Sequence, residues 1–191
     1  MGRLVDWKAV DITMQALSLA RAAGAKVTLQ VLGDGPELEA LQARAAEPDL
    51  AGCVTFAGFL TQAECASRLA ASDALILNSI WECGGAVVLE AMAMELPVIA
   101  SDWGGPADYL DETCGILISP VPREGFADRL AEAMRALSAD PEKCARMGAA
   151  GLAKVRAEYD WEKKIDSILE IYEDACAAYE TARKVPDRSP L

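Results

Sequence analysis

The sequence predicts a doubly wound α/β fold with a mostly parallel sheet and a helical C-terminal region. Short β-rich segments alternate with segments of helical spacing over residues 1–118. The β-rich segments are continuously apolar, which is typical of parallel strands covered on both faces. From residue 123 to about residue 178 the spacing is helical only. The chain has 191 residues, of which 52% are hydrophobic, and is therefore long enough to bury one sizeable core.

The predicted elements follow one another in a regular order. Helical spacing covers residues 12–23, and Gly24 is a natural stop for that helix. A strand at 26–32 leads through the Gly-Asp-Gly-Pro turn into a helix that ends near residue 46. The later elements, in chain order, are a strand at 54–57, a helix at 62–70, a strand at 74–77, a helix at 86–94, and strands at 97–100 and 116–118.

The two ends of the chain differ from this pattern. Residues 1–4 read like the end of a strand, so we expect a first strand that lacks most of its length. Incomplete pairing in the middle of a sheet exposes strand edges, which predicts self-association. Breaks near residues 140–141 and 159–160 divide the helical region. We expect one domain over residues 1–178 and a frayed tail over 179–191.

Composition excludes several classes of function. A net charge of −12 argues against nucleic acid or an anionic membrane surface as the main partner. The absence of histidine removes Ser-His-Asp and Cys-His nucleophile chemistry and H-E-x-x-H zinc sites, so we expect no metal site. Six cysteines without a C-x-x-C pair fit reduced thiols. The sequence has neither a signal peptide pattern nor a transmembrane segment. We therefore expect a cytoplasmic protein, and a peripheral position on the inner face of the membrane is compatible with this.

The most informative segment is residues 78–108, in which Glu82 and Glu90 are separated by seven residues. Gly84 and Gly85 let the backbone approach a ligand closely, and the start of the next helix offers free N–H groups to a phosphate. Flanking carboxylates suit the hydroxyls of a sugar. Taken alone, the two glutamates also fit a simpler interpretation, in which Glu82 favours the positive end of the helix dipole and Glu90 is solvated.

The motifs around these glutamates resemble those of the family-four glycosyltransferases, or glycosyl transferases group 1. E-x7-E is followed by E-A-M-A, L-P-V-I-A-S and G-G-P between residues 82 and 106. Gly2-Arg3-Leu4 with Lys8, the V-L-G-D-G-P turn at 31–36 and V-T-F-A-G-F at 54–59 also resemble family motifs, in the family's order. The resemblance covers about residues 1–172. It implies a Rossmann-like domain, the nucleotide-sugar-binding half of a GT-B fold.

The resemblance also implies roles for particular residues in a retaining, metal-independent transfer. Arg3, Lys8 and Glu82 are the implied catalytic residues: the two cations contact the donor diphosphate, and Glu82 contacts the hydroxyls of the transferred sugar. Glu90 is implied to bind the ribose. The implied donor-binding residues are these four together with Gly58 and Phe59 beside the base, and Cys83, Gly84, Gly85 and Ala86 in the turn.

Some positions depart from the family pattern and put the detail of the donor pocket in doubt. Gly84 stands where the family often has Phe, Glu95 where it often has Gly, and Asp108 where a Glu often follows G-G-P. The glycines at 33 and 35 are interpreted as a strand-to-helix turn and not as a dinucleotide fingerprint. Trp81 and Trp103 are expected to pack, either beside the donor or over the sheet edge.

Beyond the site, the resemblance implies partners. Family members pair this half with an N-terminal acceptor domain, so we expect nucleotide sugar as the substrate, no cofactor, and an inactive or incomplete isolated chain. Polysaccharide biosynthesis is the expected context, with a glycan, lipid or small-molecule acceptor. Three alternatives stay open: a stand-alone donor-binding subunit that pairs with a separate acceptor-binding chain, a nucleotide-sugar epimerase fragment, and a degenerate structural domain.

Overall fold

The computed structural model describes residues 1–183, which form two compact units: Met1–Ala153, and a second unit that begins at Lys154. The strands are β1 (Leu29–Leu32), β2 (Val54–Gly58), β3 (Leu75–Leu77), β4 (Val98–Ser101) and β5 (Gly115–Ile118). The helices are α1 (Val10–Ala22), α2 (Leu38–Ala45), α3 (Gln62–Ala70), α4 (Val87–Ala93), α5 (Gly105–Tyr109), α6 (Phe126–Ser138), α7 (Pro141–Lys154) and α8 (Trp161–Arg183).

All strand pairs in the first unit are parallel, which confirms the predicted doubly wound α/β class. β1 pairs with β2, and β4 lies between β3 and β5. The strands therefore form a two-stranded and a three-stranded sheet instead of the single sheet that was expected. A cavity lies between β1 and β3, and its lining includes residues 1–4. The carboxyl ends of these two strands frame the region in which the predicted site residues lie.

Residues 1–4 run beside the end of β1 without forming a strand. The amide of Gly2 donates to the carbonyl of Leu32 at 2.9 Å, and the amide of Leu4 donates to the carbonyl of Asp34 at 2.8 Å. A Cβ at Gly33 would overlap the carbonyl of Gly2. A Cβ at residue 35 would likewise overlap the Leu4 carbonyl. The two glycines thus allow the close approach that fixes the backbone on either side of Arg3.

The core of the first unit is built where α1 packs against α6. Met14 and Leu17 on α1 and Phe126 and Leu130 on α6 are all at most 1% exposed. These residues recur at intervals of three or four, which places them on one face of each helix. Burying that face anchors α1, and with it the turn that precedes the helix.

Several elements differ from the predictions near the predicted site. β1 begins at Leu29 instead of residue 26, because its pairing with β2 starts at Leu29. Before that point, the guanidinium of Arg21 donates a hydrogen bond to the carbonyl of Val27 at 2.7 Å. A short 3₁₀ helix, Asp6–Lys8, and the five-residue helix α5 were not predicted. Both are too short to show a helical period in the sequence.

The predicted breaks in the helical region are confirmed and have physical causes. The Asp140 carboxylate accepts the amide of Lys143 at 2.8 Å and caps α7, and that of Asp160 accepts the amide of Glu162 at 2.9 Å and caps α8. A π-helical turn, Val155–Tyr159, follows α7. The structure divides the chain near residue 154, whereas one domain was predicted over 1–178.

The last helix extends further than the sequence predicted. α8 continues to Arg183, so residues 179–183 are helical and not frayed, while the rest of the predicted tail lies outside the described residues. Its apolar side chains are exposed at Trp161, Ile165, Ile168, Leu169, Ile171, Tyr172 and Tyr179. None of the helices in residues 1–183 combines the length and apolarity that a membrane crossing needs.

Candidate functional site

Lys8 lies at the end of a tight turn that leads into α1. The 3₁₀ helix Asp6–Lys8 ends at Ala9, whose backbone is left-handed (φ 51°) and whose amide donates to the carbonyl of Asp6 at 2.9 Å. A left-handed backbone is uncommon for a residue with a side chain. The turn therefore costs some backbone strain and is held by contacts elsewhere, chiefly those of Asn78 described below.

The turn brings Lys8 to Glu82, although 74 positions separate them in the sequence. The Lys8 ammonium donates to the Glu82 carboxylate, and the two side chains are only 22% and 12% exposed. The hydroxyl of Ser79, itself 1% exposed, donates to the same carboxylate oxygen at 3.2 Å. Partial burial strengthens such a pair compared with an ion pair at the surface. The structure thus joins two of the three predicted catalytic residues.

Asn78 links the segments that carry Lys8 and Glu82, a role that the sequence analysis missed. Its side chain is buried at 4% exposure, and its amide nitrogen donates to the carbonyl of Ala9 at 2.9 Å. The Thr13 hydroxyl donates to its amide oxygen at 2.6 Å. The end of β3 is thereby tied to the residue that follows Lys8. An asparagine after an apolar strand was the available signal, but its partners lie 65 and 69 positions away.

The glycine turn after Glu82 packs backbone-to-backbone against the loop before α5. A Cβ at Gly104 would overlap the carbonyl of Glu82, and a Cβ at Gly105 would overlap that of Gly84. The amide of Gly105 also donates to the carbonyl of Cys83 at 3.0 Å. The G-G-P motif predicted from the sequence is therefore the surface on which the Glu82 turn rests.

Gly85 completes the turn into α4. Its φ of 65° is left-handed, and a Cβ there would come within 3.1 Å of Pro106 and 3.3 Å of the Glu82 side chain. Ala86 precedes the first residue of α4 and no side chain caps this helix. The amide of Val88, the second residue of α4, donates to the carbonyl of Gly85 at 2.8 Å and closes the turn.

The remaining predicted site residues are spread around the Lys8–Glu82 pair and do not touch it. Arg3 is exposed, and Glu90 is exposed on α4. Gly58 ends β2, and Phe59 beyond it is 85% exposed. Within residues 1–183 no hydrogen bond or ion pair joins Arg3 or Glu90 to the pair. The structure thus brings together only part of the predicted set.

Arg3 and Lys8 nevertheless line the same cavity, between β1 and β3. With a volume of about 50 Å³ this cavity is much smaller than the few hundred Å³ of a typical ligand pocket. The cavity by itself is therefore too small to enclose a ligand as large as a nucleotide sugar.

The departures from the family pattern also have structural outcomes. Glu95 has a left-handed backbone (φ 59°), which explains why glycine suits that position. Gly84 has open space where a side chain would point. Asp108 lies in the first turn of α5. Trp81 and Trp103 were expected to pack, but they are 65% and 46% exposed and contact each other.

Taken together, the fold and the site define a Rossmann-like α/β protein with a carboxylate–ammonium pair near its strand ends. Residues 1–154 match the family Glycosyl transferases group 1, and the chain belongs to this family. The predicted family and the GT-B type of fold are therefore confirmed.

Two relatives from Mycobacterium tuberculosis align over nearly the whole chain. The alpha-maltose-1-phosphate synthase is 33% identical over 93% of this chain and 47% of its own length. The glycogen synthase is 28% identical over all of this chain and 45% of its own length. The chain thus spans about half the length of these curated relatives.

Solved structures give the same result for the fold. HepE of Anabaena in complex with UDP has a TM-score of 0.78 at 25% identity, covering 91% of this chain and 48% of that one. The C-terminal domain of the group 1 protein LpcC of Francisella tularensis has a TM-score of 0.75 at 23% identity and covers 84% of each chain. The second comparison aligns this chain with a single domain.

Proposed function

We propose that this chain binds a nucleotide-diphosphate sugar and forms the donor half of a retaining glycosyltransferase. The observation that carries the proposal is the contact between Lys8 and Glu82 at the strand ends. This contact places a cation suited to phosphate beside a carboxylate suited to sugar hydroxyls. Membership of the glycosyl transferases group 1 and the UDP complex of HepE support it.

In this proposal the two cations act on the leaving group. Arg3 and Lys8 hold the donor diphosphate, and they stabilise the negative charge that develops when the bond to the sugar breaks. Arg3 presents a planar fork to the phosphate oxygens, while Lys8 acts as a point charge. A net charge of −12 over the whole chain makes these local cations the groups that attract an anionic ligand.

The carboxylates recognise the two sugar rings of the donor. Glu82 accepts hydrogen bonds from the hydroxyls of the transferred sugar, and Glu90, exposed one turn into α4, accepts those of the ribose. Gly85 gives the backbone room near the phosphate, and residues 58–59 border the base. In the free protein Glu82 neutralises Lys8. Binding of the diphosphate therefore exchanges the Glu82 carboxylate on Lys8 for a phosphate oxygen.

Transfer itself needs an acceptor held against the donor with water excluded. The cavity lined by Arg3 and Lys8 is too small to enclose a nucleotide sugar, and the chain spans about half the length of its relatives. We therefore propose that an acceptor-binding domain or subunit completes the enzyme, and that the isolated chain binds donor with weak or no turnover. Because two relatives are named for making glycogen and maltose 1-phosphate, we propose a saccharide acceptor.

Calorimetric titration with UDP, GDP and ADP tests the donor site. We expect one nucleotide to bind, and Glu90→Ala to weaken it about tenfold or more, since a hydrogen bond to a charged group contributes about 1.5–3 kcal/mol. Glu39→Ala is the matched control, because Glu39 is an exposed glutamate in the first turn of another helix, α2. A folded chain that binds none of the three nucleotides contradicts the proposal.

A further inference from the structure

Two exposed tryptophans lie together on the loops that build the candidate site. Trp81 is 65% exposed and Trp103 is 46% exposed, and their ring centroids are 6.5 Å apart with the planes inclined at 44°. A neighbouring pair of exposed indoles forms an apolar surface of the kind that marks a binding site, since tryptophan is usually well buried. Nothing in the proposed donor site uses either ring.

The backbone holds this pair in a fixed relation to Glu82. Trp81 immediately precedes Glu82, and Trp103 immediately precedes Gly104, whose backbone packs against the Glu82 carbonyl. The hydrogen bond from Gly105 to Cys83 joins the same two loops. The tryptophans therefore sit on one rigid support and not on two independent loops.

The two consecutive side chains at 81 and 82 differ sharply in exposure. The Glu82 side chain is 12% exposed, within reach of Lys8 and Ser79, whereas Trp81 is 65% exposed. A donor held by Glu82 and Lys8 would thus occupy the recessed part of the site. The indole pair stays available on the surface beside it.

Gly84 leaves room for a ligand on this surface. A Cβ built on Gly84 would meet no atom within 4 Å, and its backbone is not left-handed. The space is therefore open because the residue is glycine, and a larger side chain would occupy it without backbone strain. This open space lies on the same turn as Trp81.

We propose that Trp81 and Trp103 form the part of the acceptor site that this chain contributes, a stacking platform for a pyranose ring of the saccharide acceptor. The C–H groups on one face of a pyranose carry partial positive charge and suit the electron-rich face of an indole. A neutral saccharide is not repelled by a chain with a net charge of −12. The inference rests on the proposed function, because it places the acceptor sugar beside the donor sugar held by Glu82.

The test uses the full chain, the nucleotide that binds best, and maltotetraose and mannotetraose as acceptor probes, followed by tryptophan fluorescence and calorimetry. We expect one saccharide to bind with millimolar affinity. Trp81→Ala and Trp103→Ala should each weaken it about twofold to tenfold, since the sugar loses one of its two aromatic stacking partners.

Trp161→Phe is the matched control, because Trp161 is a 78% exposed tryptophan in the second unit. It should leave saccharide affinity unchanged. The proposal is overturned if neither saccharide binds a chain that binds nucleotide, or if the signal disappears in Trp161→Phe. It is also overturned if the Trp81 and Trp103 variants weaken nucleotide sugar instead of saccharide, since the rings then contact the donor. If the unmodified chain binds no nucleotide, the donor proposal is overturned as well.

Discussion

At the scale of single residues, the site depends on a few buried polar contacts behind the charged pair. Lys8 and Glu82 meet because Asn78 and Thr13 tie the end of β3 to the start of α1. Asn78 satisfies the carbonyl of Ala9, the residue with the left-handed backbone. The hydrogen bond from the amide of Ile80 to the carbonyl of Trp7, at 2.8 Å, reinforces the same junction. Asn78 therefore positions Lys8 and Glu82 and has no proposed contact with the donor.

This arrangement predicts a double effect of Asn78→Ala. Removing the buried amide that accepts from the Thr13 hydroxyl and donates to the Ala9 carbonyl should lower the free energy of unfolding by about 1–3 kcal/mol in urea denaturation. Nucleotide affinity should also fall, because Lys8 is no longer held. Thr13→Val is the control: it keeps the bond from Asn78 to Ala9, so it should reduce stability with a smaller effect on nucleotide affinity. Equal affinity losses in both variants would contradict a positioning role for Asn78.

Individual site residues could be predicted from the sequence only where they belong to a recognisable motif. Lys8 and Glu82 were named from separate motifs, and the structure joins them. The Asn78 contacts could not be predicted, because they depend on how β3 and α1 pack and no local pattern encodes that distance. The exposure of Trp81 was missed for a related reason, since large aromatic residues are more often buried than displayed.

At the scale of elements, α7 packs on the end of α4 through glycine. A Cβ at Gly148 would overlap the carbonyl of Glu95, the left-handed residue in the turn after α4. A Cβ at Gly151, one turn further on, would come within 3.3 Å of the flexible Met92 side chain. A Cβ added at Gly148 would therefore meet backbone, whereas a Cβ added at Gly151 would meet a flexible side chain.

The two glycines predict opposite effects of the same substitution. Gly148→Ala should lower the free energy of unfolding by about 1–3 kcal/mol, because the backbone of the Glu95 turn must move. Gly151→Ala should be neutral or stabilising by up to about 1 kcal/mol, because Met92 can adjust and alanine favours the helix. Urea denaturation of both variants measures the difference. Equal destabilisation would show that the α4–α7 contact is not as described.

α3 has a stabilising contact of its own at its N-terminus. The Thr61 hydroxyl accepts the amide of Glu64 at 3.4 Å, and the Glu64 carboxylate accepts the amide of Thr61 at 2.8 Å, forming a capping box. The hydroxyl of Thr61 also donates to that carboxylate at 2.7 Å. These hydrogen bonds from the Thr61 hydroxyl and amide lower the pKa of Glu64 below its usual value.

The capping box predicts a stability effect that depends on pH. A lowered pKa in the folded state means that Glu64 stabilises the fold above its unfolded pKa, and that this contribution is lost as the pH falls through the folded pKa. Thr61→Ala should therefore lower the midpoint of thermal unfolding more near pH 7 than near pH 3. Ser67→Ala, on the exposed face of the same helix, is the control and should change little at either pH.

Element boundaries were predictable to within three residues where turn residues frame an apolar segment. The bounds of α3 were predicted without error, β4 was displaced by one residue at both ends, and β5 began one residue earlier than predicted. The division into two sheets was not predictable, because strand order and spacing depend on long-range pairing. The end of α8 was missed because the sequence after residue 178 lacks a strong apolar pattern.

At the scale of the whole molecule, we propose that the described surface is one side of a larger site. The cavity that Arg3 and Lys8 line is too small for a nucleotide sugar, and the sheet edges of β1 and β3 face this cavity instead of each other. The exposed apolar side chains on α8 add a further surface in the second unit. Each of these features is typical of a chain that functions with a partner surface.

The exposed strand edges and apolar side chains predict self-association of the isolated chain. Unpaired strand edges and apolar faces that are not covered favour contacts between copies. Sedimentation velocity over a range of protein concentrations should show a rising average mass. Replacing Leu169 and Tyr172 with glutamine should reduce this rise if the α8 face takes part, whereas changing the exposed Gln15 on α1 to alanine should not. A single monomeric species at all concentrations would contradict the prediction.

The central claim is that Lys8 and Glu82 serve different parts of one donor, and Glu82→Gln tests it most directly. Calorimetric affinities of the variant are compared for a nucleoside diphosphate and for its nucleotide sugar. We predict that the variant binds the free diphosphate as well as the unmodified chain or better, because Lys8 is released from its pair, and that the extra affinity contributed by the sugar is lost. Equal weakening of both ligands, or no effect on either, would contradict the assignment of Glu82 to the sugar and Lys8 to the diphosphate.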